Sequence, residues 1–321
     1  MPPDQGDAAL PGGSGVSQNQ VKDMAASVRQ RLLNLARERG ENYQQLLTRY
    51  ALERFLYRLS ISRYAQRYVL KGAFRFMAWT NEAHRPTKDM DFAGTGDESP
   101  EALGMVISEL CWIEDAPDDG LQFDAGMVQV EAIREDQVYQ GLRVKFVAHL
   151  GTISINVQID VGFGDAVTPG PELIDYPTLL DQPAPRIRAY PKESVVAEKL
   201  QAMVAIGMPN SRMKDYFDIW TMARVFPFEG AVLAQAIEAT FARRKTALPG
   251  DVPTALGDEF AQDSGKAAQW RAFVKRSELE TGGVGLPQVV ADLREFLLPP
   301  LHAAAAGKDF GLTWPNGGPW N

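Results

Sequence analysis

The sequence predicts an α+β protein: a small mixed sheet, preceded by N-terminal helices and followed by a C-terminal helical region. Three observations carry this reading. Residues 21–38 and 43–59 repeat apolar side chains at helical spacing. Residues 153–161 (ISINVQIDV) alternate apolar and polar side chains, the signature of a half-buried strand. From Lys192 onward the apolar spacing is helical again, and regular strand–helix alternation, the mark of a doubly wound parallel fold, is missing.

Residues 1–20 are rich in Pro, Gly, Ser and Gln with little to bury, so a disordered leader is expected. The first helix then carries Met24, Val28, Leu32 and Leu35 on one face, and after Gly40 the second carries Leu46, Leu47, Tyr50, Phe55, Leu56 and Leu59. Residues 64–79 read as another apolar helical stretch, containing Lys71-Gly72-Ala73. Polar residues and Pro86 lead into Asp89-Met90-Asp91-Phe92, a short strand, and residues 100–112 form a helix with Pro100 in its first turn. Strands are expected at 127–133, 142–150 and 152–161, and residues 168–190 are proline-punctuated and extended. Helices are expected at 194–206, 214–225, 229–243, 266–276 and 286–298. The organisation is therefore a leader (1–20), N-terminal helices with a mixed α/β core (21–190), a helical region (191–300) and a flexible Ala-, Gly- and Pro-rich tail (301–321).

The chain has 321 residues, 45% hydrophobic and 23% charged, the proportions of an ordinary globular protein rather than a disordered or fibrous one. Cys111 is the only cysteine, so no internal disulfide is possible, and neither a secretory pattern nor a long uncharged apolar run is present. A cytoplasmic protein with no membrane partner is expected. The net charge of −8 conceals an asymmetry: residues 21–88 hold fourteen basic side chains against five acids, a local +9 that leaves −17 elsewhere. Such asymmetry points to a polyanion, or else to a solvated helical face.

Asp89-Met90-Asp91 is the fragment most suggestive of chemistry. Carboxylates at i and i+2 of a strand share a face and can share a cation, and Mg²⁺ takes one or two carboxylates together with substrate phosphates. Asp160, near the end of the cleanest strand and before Gly162 and Gly164, is the candidate third acid. Lys71-Gly72 upstream, with Arg85, Thr87 and Lys88 just before the acid pair, could seat a triphosphate, because glycine lets phosphate approach backbone N–H groups. Lys199 lies on an otherwise apolar helix and is either a surface lysine or a cation aimed into a cleft. Asp215 and Asp218 share a helical face behind Arg212, where carboxylates also favour a helix start. Three histidines (His84, His149, His302) without a ligand cluster, and no GxSxG or Walker A pattern, leave little support for a zinc enzyme, a triad hydrolase or a P-loop NTPase.

Taken together, Val28–Leu33, Tyr50–Leu59, Val69–Ala73, Arg85–Phe92, Ile159–Asp165, Ala197–Leu200 and Arg212–Asp218 resemble the AbiEii/AbiGii toxin family of nucleotidyltransferase-like proteins, in one order over residues 21–298. The resemblance implies a DNA-polymerase-β-like nucleotidyltransferase core and the toxin half of a type IV toxin–antitoxin pair, often linked to abortive phage infection. It implies NTP and Mg²⁺, and for some members addition of nucleotides to tRNA acceptor ends. By position, Asp89 and Asp91 match the metal pair, Lys71-Gly72 the start of the nucleotide loop, Lys199 the triphosphate-contacting lysine and Asp215 the essential acid of the last motif. Asp160 is preferred as third carboxylate, with Asp165 its competitor. One departure is plain: the wider pattern has Gly-Ser before its DxD, whereas here Ala73 follows Gly72, so Thr87 and Lys71 are the candidates to replace that phosphate contact.

The expected function is transfer of NMP from an NTP to an RNA acceptor, in particular a tRNA 3′ end, with Mg²⁺ held by Asp89, Asp91 and Asp160. Lys71, Lys199 and Arg212 would neutralise phosphates, Gly72, Thr87 and Lys88 would line the nucleotide seat, and Asp160 or Asp215 would accept the proton. The +9 segment would dock the RNA, and a cognate antitoxin encoded nearby would be the protein partner. The alternatives are transfer of NMP or phosphate to a protein hydroxyl, and an idle module that binds a nucleotide or the antitoxin.

Overall fold

The computed structural model describes residues 18–80, 85, 87–135 and 139–321. Most of the expected leader lies outside these residues, and the chain is already helical at Gln18, where α1 (Gln18–Arg39) begins. Gly40, in the left-handed region at φ 65°, lets the chain leave α1, and Asn42 accepts a hydrogen bond from the Gln45 N–H to cap α2 (Tyr43–Ile61). The apolar positions read from the sequence face inward: Val28, Leu32, Leu46, Phe55 and Leu56 are all buried.

The next segment differs from expectation. Residues 64–79 are not one helix but contain β1 (Tyr68–Lys71) and, starting at Gly72, α3 (Gly72–Thr80). Tyr68 and Leu70 enter one core while Val69 enters another. A short strand buried on both faces has no alternation by which to tell it from a buried helix.

The remaining elements of the sheet half are β2 (Met90–Gly94), α4 (Pro100–Cys111), β3 (Leu121–Glu135), β4 (Tyr139–Leu150), β5 (Ile153–Phe163), β6 (Glu172–Asp175) and β7 (Arg186–Ala189). The strands expected at 127–133, 142–150 and 152–161 fall in β3, β4 and β5, while β6 and β7 occupy the extended proline-rich stretch. Among the described residues they form a seven-stranded sheet in the order β3-β4-β5-β2-β1-β7-β6. The pairs β2/β5 and β1/β7 are parallel and the others antiparallel, so the sheet is mixed as expected.

The helical half comprises α5 (Lys192–Ile206), α6 (Met213–Val225), α7 (Gly230–Arg243), the short α8 (Asp258–Gln262), α9 (Ser264–Arg276) and α10 (Leu286–Ala305), with a small ribbon of β8 (Phe228–Glu229) and β9 (Thr313–Trp314). One face of the sheet packs with α1, α2 and α4; Val69 and Ala93 on the opposite face join the core formed by α5 to α10. The expected flexible tail at 301–321 is corrected by this packing. Helix α10 continues through Pro299 and Pro300 to Ala305, and Trp314 is buried, its indole N–H donating to the Ala223 carbonyl at 2.6 Å and its ring 5.0 Å from that of Phe296. Average composition hides the two aromatic anchors, Trp314 and Trp320, that hold the segment down.

Several arginines of the basic segment are internal. Arg58 forks onto Asp119 at 2.6 and 3.3 Å, Arg54 lies 3.3 Å from Glu53 and 3.5 Å from Asp119, and Arg75 reaches Glu172 at 2.7 Å. Arg54, Arg58 and Arg75 are all buried, so much of the local positive charge serves the interior. On α1, Arg29, Arg31, Arg37 and Arg39 remain exposed. Among the described residues, no helix is long and apolar enough to cross a membrane.

Candidate active site

Four charged side chains form a row across adjacent strands. Lys71 on β1 is the register partner of Asp91 on β2, Asp91 of Asp160 on β5, and Asp160 of Arg143 on β4. The alternation of β5 explains the row: Val157, Ile159 and Val161 fill the α2-side core, which turns Asp160 to the opposite face, toward the helical half. Asp89, two residues before Asp91, precedes β2 on that same face.

Gly72 is required where it stands. Its φ is +70°, and a Cβ there would lie 2.0 Å from Asp91 Oδ2, so the turn from β1 into α3 brings bare backbone against this carboxylate. Burial, reinforced by the Asp89 charge, pushes the Asp91 carboxyl up to about 6 against the pull of Lys71 and Lys214. Asp89 accepts a 2.8 Å hydrogen bond from the Thr87 hydroxyl, so Thr87 is engaged with the acid pair itself. Lys88 is exposed beside it.

The ends of the row are pinned. Lys71 Nζ donates to Asp165 at 2.6 Å and lies 3.8 Å from Glu198 on α5; burial disfavours its charge, but Glu198 and Asp165 outweigh that and hold its pKa above the ordinary value. Asp165 also meets Arg244 at 3.4 Å, so its carboxylate sits between two cations. At the other end Arg143 grips Asp160 with both arms of a fork, Nε to Oδ1 at 2.9 Å and Nη2 to Oδ2 at 2.7 Å.

A second group of charges comes from α5, α6 and the segment before β2. Lys199 Nζ lies 2.7 Å from Asp215 and 2.8 Å from Asp218; Arg212 donates to Asp215 at 2.7 Å; Arg85 forks onto Asp218 at 2.8 and 3.1 Å. Asp215 is wholly buried, and although burial works to raise its pKa, Lys199 and Arg212 hold it below the usual carboxylate range. Lys199 is held above its ordinary value because Asp215 and Asp218 outweigh its burial. The sequence left Lys199 between a surface and a cleft; its side chain is 15% exposed and its ammonium is paired with two buried acids. The charge of Arg85 is also felt by Asp91, which puts this cation-rich group beside the acid pair.

Two carboxylates on one strand face, one of them buried without a full complement of countercharge, suit a hard divalent cation that completes its shell with phosphate oxygens. Among the described residues no group of three His, Cys, Asp or Glu side chains is gathered closely enough to hold a metal ion. Asp89 and Asp91 therefore fit such an ion as a pair, with Asp160 in register but engaged elsewhere. The residues that sequence reasoning did not single out are Arg143, Glu198 and Arg244; strand register and helix placement reveal them, and neither is readable from spacing.

The family model described as nucleotidyl transferase AbiEii toxin, of a type IV toxin–antitoxin system, matches residues 54–294. The chain belongs to the AbiEii nucleotidyltransferase toxin family. Every residue of the acid row and of the cation group lies within that match, and membership in a toxin–antitoxin family implies an antitoxin partner for this AbiEii chain. JHP933 from Helicobacter pylori is similar in structure, with a TM-score of 0.46 at 14% identity, covering 83% of this chain and 91% of that one. A candidate nucleotidyltransferase from Helicobacter pylori gives a TM-score of 0.45 at 13% identity, covering 83% and 94%. No curated protein sequence matches.

Proposed function

We propose that this AbiEii-family chain transfers NMP from an NTP to the 3′ hydroxyl of an RNA, with tRNA as the acceptor and Mg²⁺ as the metal, and that the modification arrests growth and aborts phage infection. The observation that carries the reading is that the Asp89–Asp91 pair lies close enough to the Arg85–Lys199–Arg212 group for the Asp91 charge to act on Arg85, because triphosphate transfer needs a hard cation and fixed positive charge around the same phosphates. Bound at Asp89 and Asp91, Mg²⁺ would supply charge neutralisation at the phosphates.

The acceptor oxygen attacks the α-phosphorus, the bond from that phosphorus to the bridging oxygen breaks, and pyrophosphate leaves with the electron pair. Lys199 and Arg212 bind and orient the triphosphate. Asp215 positions those two cations, since both its oxygens are occupied and its pKa is held down. The acceptor's proton passes to solvent, and Asp160, both of whose oxygens are held by Arg143, is the candidate third carboxylate of the metal site. Gly72 and Lys71 border the nucleotide seat, with Thr87 and Lys88 on its other side. The exposed arginines of α1 are the RNA-docking surface, and binding through them weakens steeply as salt rises.

The test is incubation of the purified protein with total tRNA, Mg²⁺ and each α-³²P-labelled NTP in turn, with D89A alongside. Label on RNA that is absent with D89A is the expected result and names the nucleotide. Label on a protein band instead would move the acceptor to a protein hydroxyl, and RNA labelling undiminished in D89A would remove the acid pair from the chemistry.

A further inference from the structure

The row Lys71–Asp91–Asp160–Arg143 contains an unexplained gap. Asp91 and Asp160 are direct register partners on adjacent parallel strands, whose backbones lie about 4.8 Å apart, so their carboxylates are within reach of a common cation. Yet among the described residues no three acids come together. Arg143, next along the row, engages both oxygens of Asp160 in a planar two-bond fork.

Three features make this pair unlike the structural ion pairs of the interior. Arg58 and Asp119 are buried and packed under α2, whereas the Arg143 side chain is 29% exposed on a sheet face. Its remaining terminal nitrogen bonds to no described residue. And a guanidinium fork fits a phosphate as well as it fits a carboxylate, so an incoming phosphate can take the place of Asp160 without leaving the cation unpaired.

We infer that Arg143 is a positioning residue that holds Asp160 apart from Asp89 and Asp91 in the resting protein, and that it releases this third carboxylate to the metal site when a substrate phosphate takes its guanidinium in exchange. The inference rests on the nucleotidyl-transfer reading for the identity of the phosphate, but its first step does not. The consequence is coupling: the site reaches its full carboxylate complement only with substrate seated.

Binding of Mn²⁺ to the substrate-free protein, followed by electron paramagnetic resonance, tests the first step without any turnover. R143Q should bind Mn²⁺ roughly fivefold more tightly than the wild type, because a partly exposed ion pair of about 1 kcal/mol no longer competes. The gain should vanish in R143Q/D160N, and R143K, which keeps the charge without the fork, should fall between. Equal Mn²⁺ affinity in wild type and R143Q, both with wild-type circular dichroism, would overturn the inference. If R143Q does not fold, R143K carries the same comparison. The second step is read from steady-state labelling by R143Q: a raised KM for the RNA with NTP KM unchanged assigns the displacing phosphate to the acceptor, a raised KM for NTP assigns it to the nucleotide, and no change in either overturns the exchange. A protein that labels no RNA at all would fail the functional reading while leaving the Mn²⁺ comparison intact.

Discussion

The backbone of Gly72 lies against the carboxylate of Asp91 so closely that a single added carbon would stand 2.0 Å from Oδ2. Gly72 opens α3 directly after β1, the antiparallel neighbour of β2, and Lys71 at the end of β1 pairs in register with Asp91. This contact ties the shape of the turn from β1 into α3 to the position of the Asp91 carboxylate, the acid proposed to hold the metal.

Gly72→Ala should therefore abolish nucleotide transfer. The substitution meets two obstacles, a φ of +70° that disfavours any Cβ and a collision with the acid itself, together costing about 2 kcal/mol. The fold should survive, since the cores on either side of β1 are untouched. Circular dichroism and tRNA labelling by G72A check this; wild-type labelling would show that the approach of Gly72 to Asp91 has no bearing on the chemistry.

Much of this was legible in the sequence, and the failures share a cause. The strands ending at Leu150 and near Asp160 alternate because one face is buried and the other open, so β4 and β5 could be read directly. Strand β1 could not, because both its faces are covered. The acids Asp89 and Asp91 could be found by spacing, but the partnership of Asp160 with Arg143 depends on register between strands, which spacing along one strand does not carry. Likewise the basic segment was visible as composition, while the division between arginines that face water (Arg29, Arg31) and those that neutralise Glu53 and Asp119 depends on where the chain folds the acids back.

Asp215→Asn should separate positioning from metal binding. Asp215 holds Lys199 at 2.7 Å and Arg212 at 2.7 Å from wholly inside the protein, so its loss leaves two cations short of one countercharge. Breaking a buried pair on one side costs about 3 kcal/mol, here softened because Asp218 stays 2.8 Å from Lys199. Transfer should fall on the order of a hundredfold as the cations lose their aim, while Mn²⁺ affinity remains that of the wild type. Urea unfolding, labelling rate and Mn²⁺ titration of D215N measure the three quantities; a loss of Mn²⁺ binding would put Asp215 among the ligands instead.

Trp314→Ala should destabilise the protein without touching the chemistry. Trp314 fills the core between α6 and α10, with a 2.6 Å bond to the Ala223 carbonyl and ring contacts at 5.0 Å to Phe296 and 5.4 Å to Trp320. Removing a buried aromatic of this size costs about 3–5 kcal/mol. The midpoint of urea unfolding should drop accordingly, and the labelling rate well below the transition should be unchanged. An unfolding curve identical to that of the wild type would mean that the tail contributes nothing to the helical core.

Glu53 should make stability depend on pH. In the folded protein its carboxyl is pushed from an ordinary 4.5 up to about 7, chiefly by burial, against the opposing effects of the Leu179 N–H bond at 2.7 Å and the neighbouring Arg54. A group that binds its proton more tightly when folded contributes stability that is complete below the unfolded value and is lost as the pH rises through the folded one. The window for Glu53 is therefore 4.5 to about 7. Glu53→Gln keeps an oxygen to accept from Leu179 and has no proton to lose, so it removes this dependence while preserving the contact. The stability of the wild type relative to E53Q should fall by about 3 kcal/mol across the window and then level off. Urea unfolding of both proteins at half-unit pH steps measures the difference. A difference that rises with pH would mean that Arg54 and Arg49 outweigh the burial of Glu53 and keep it ionised throughout, reversing the sign of its contribution.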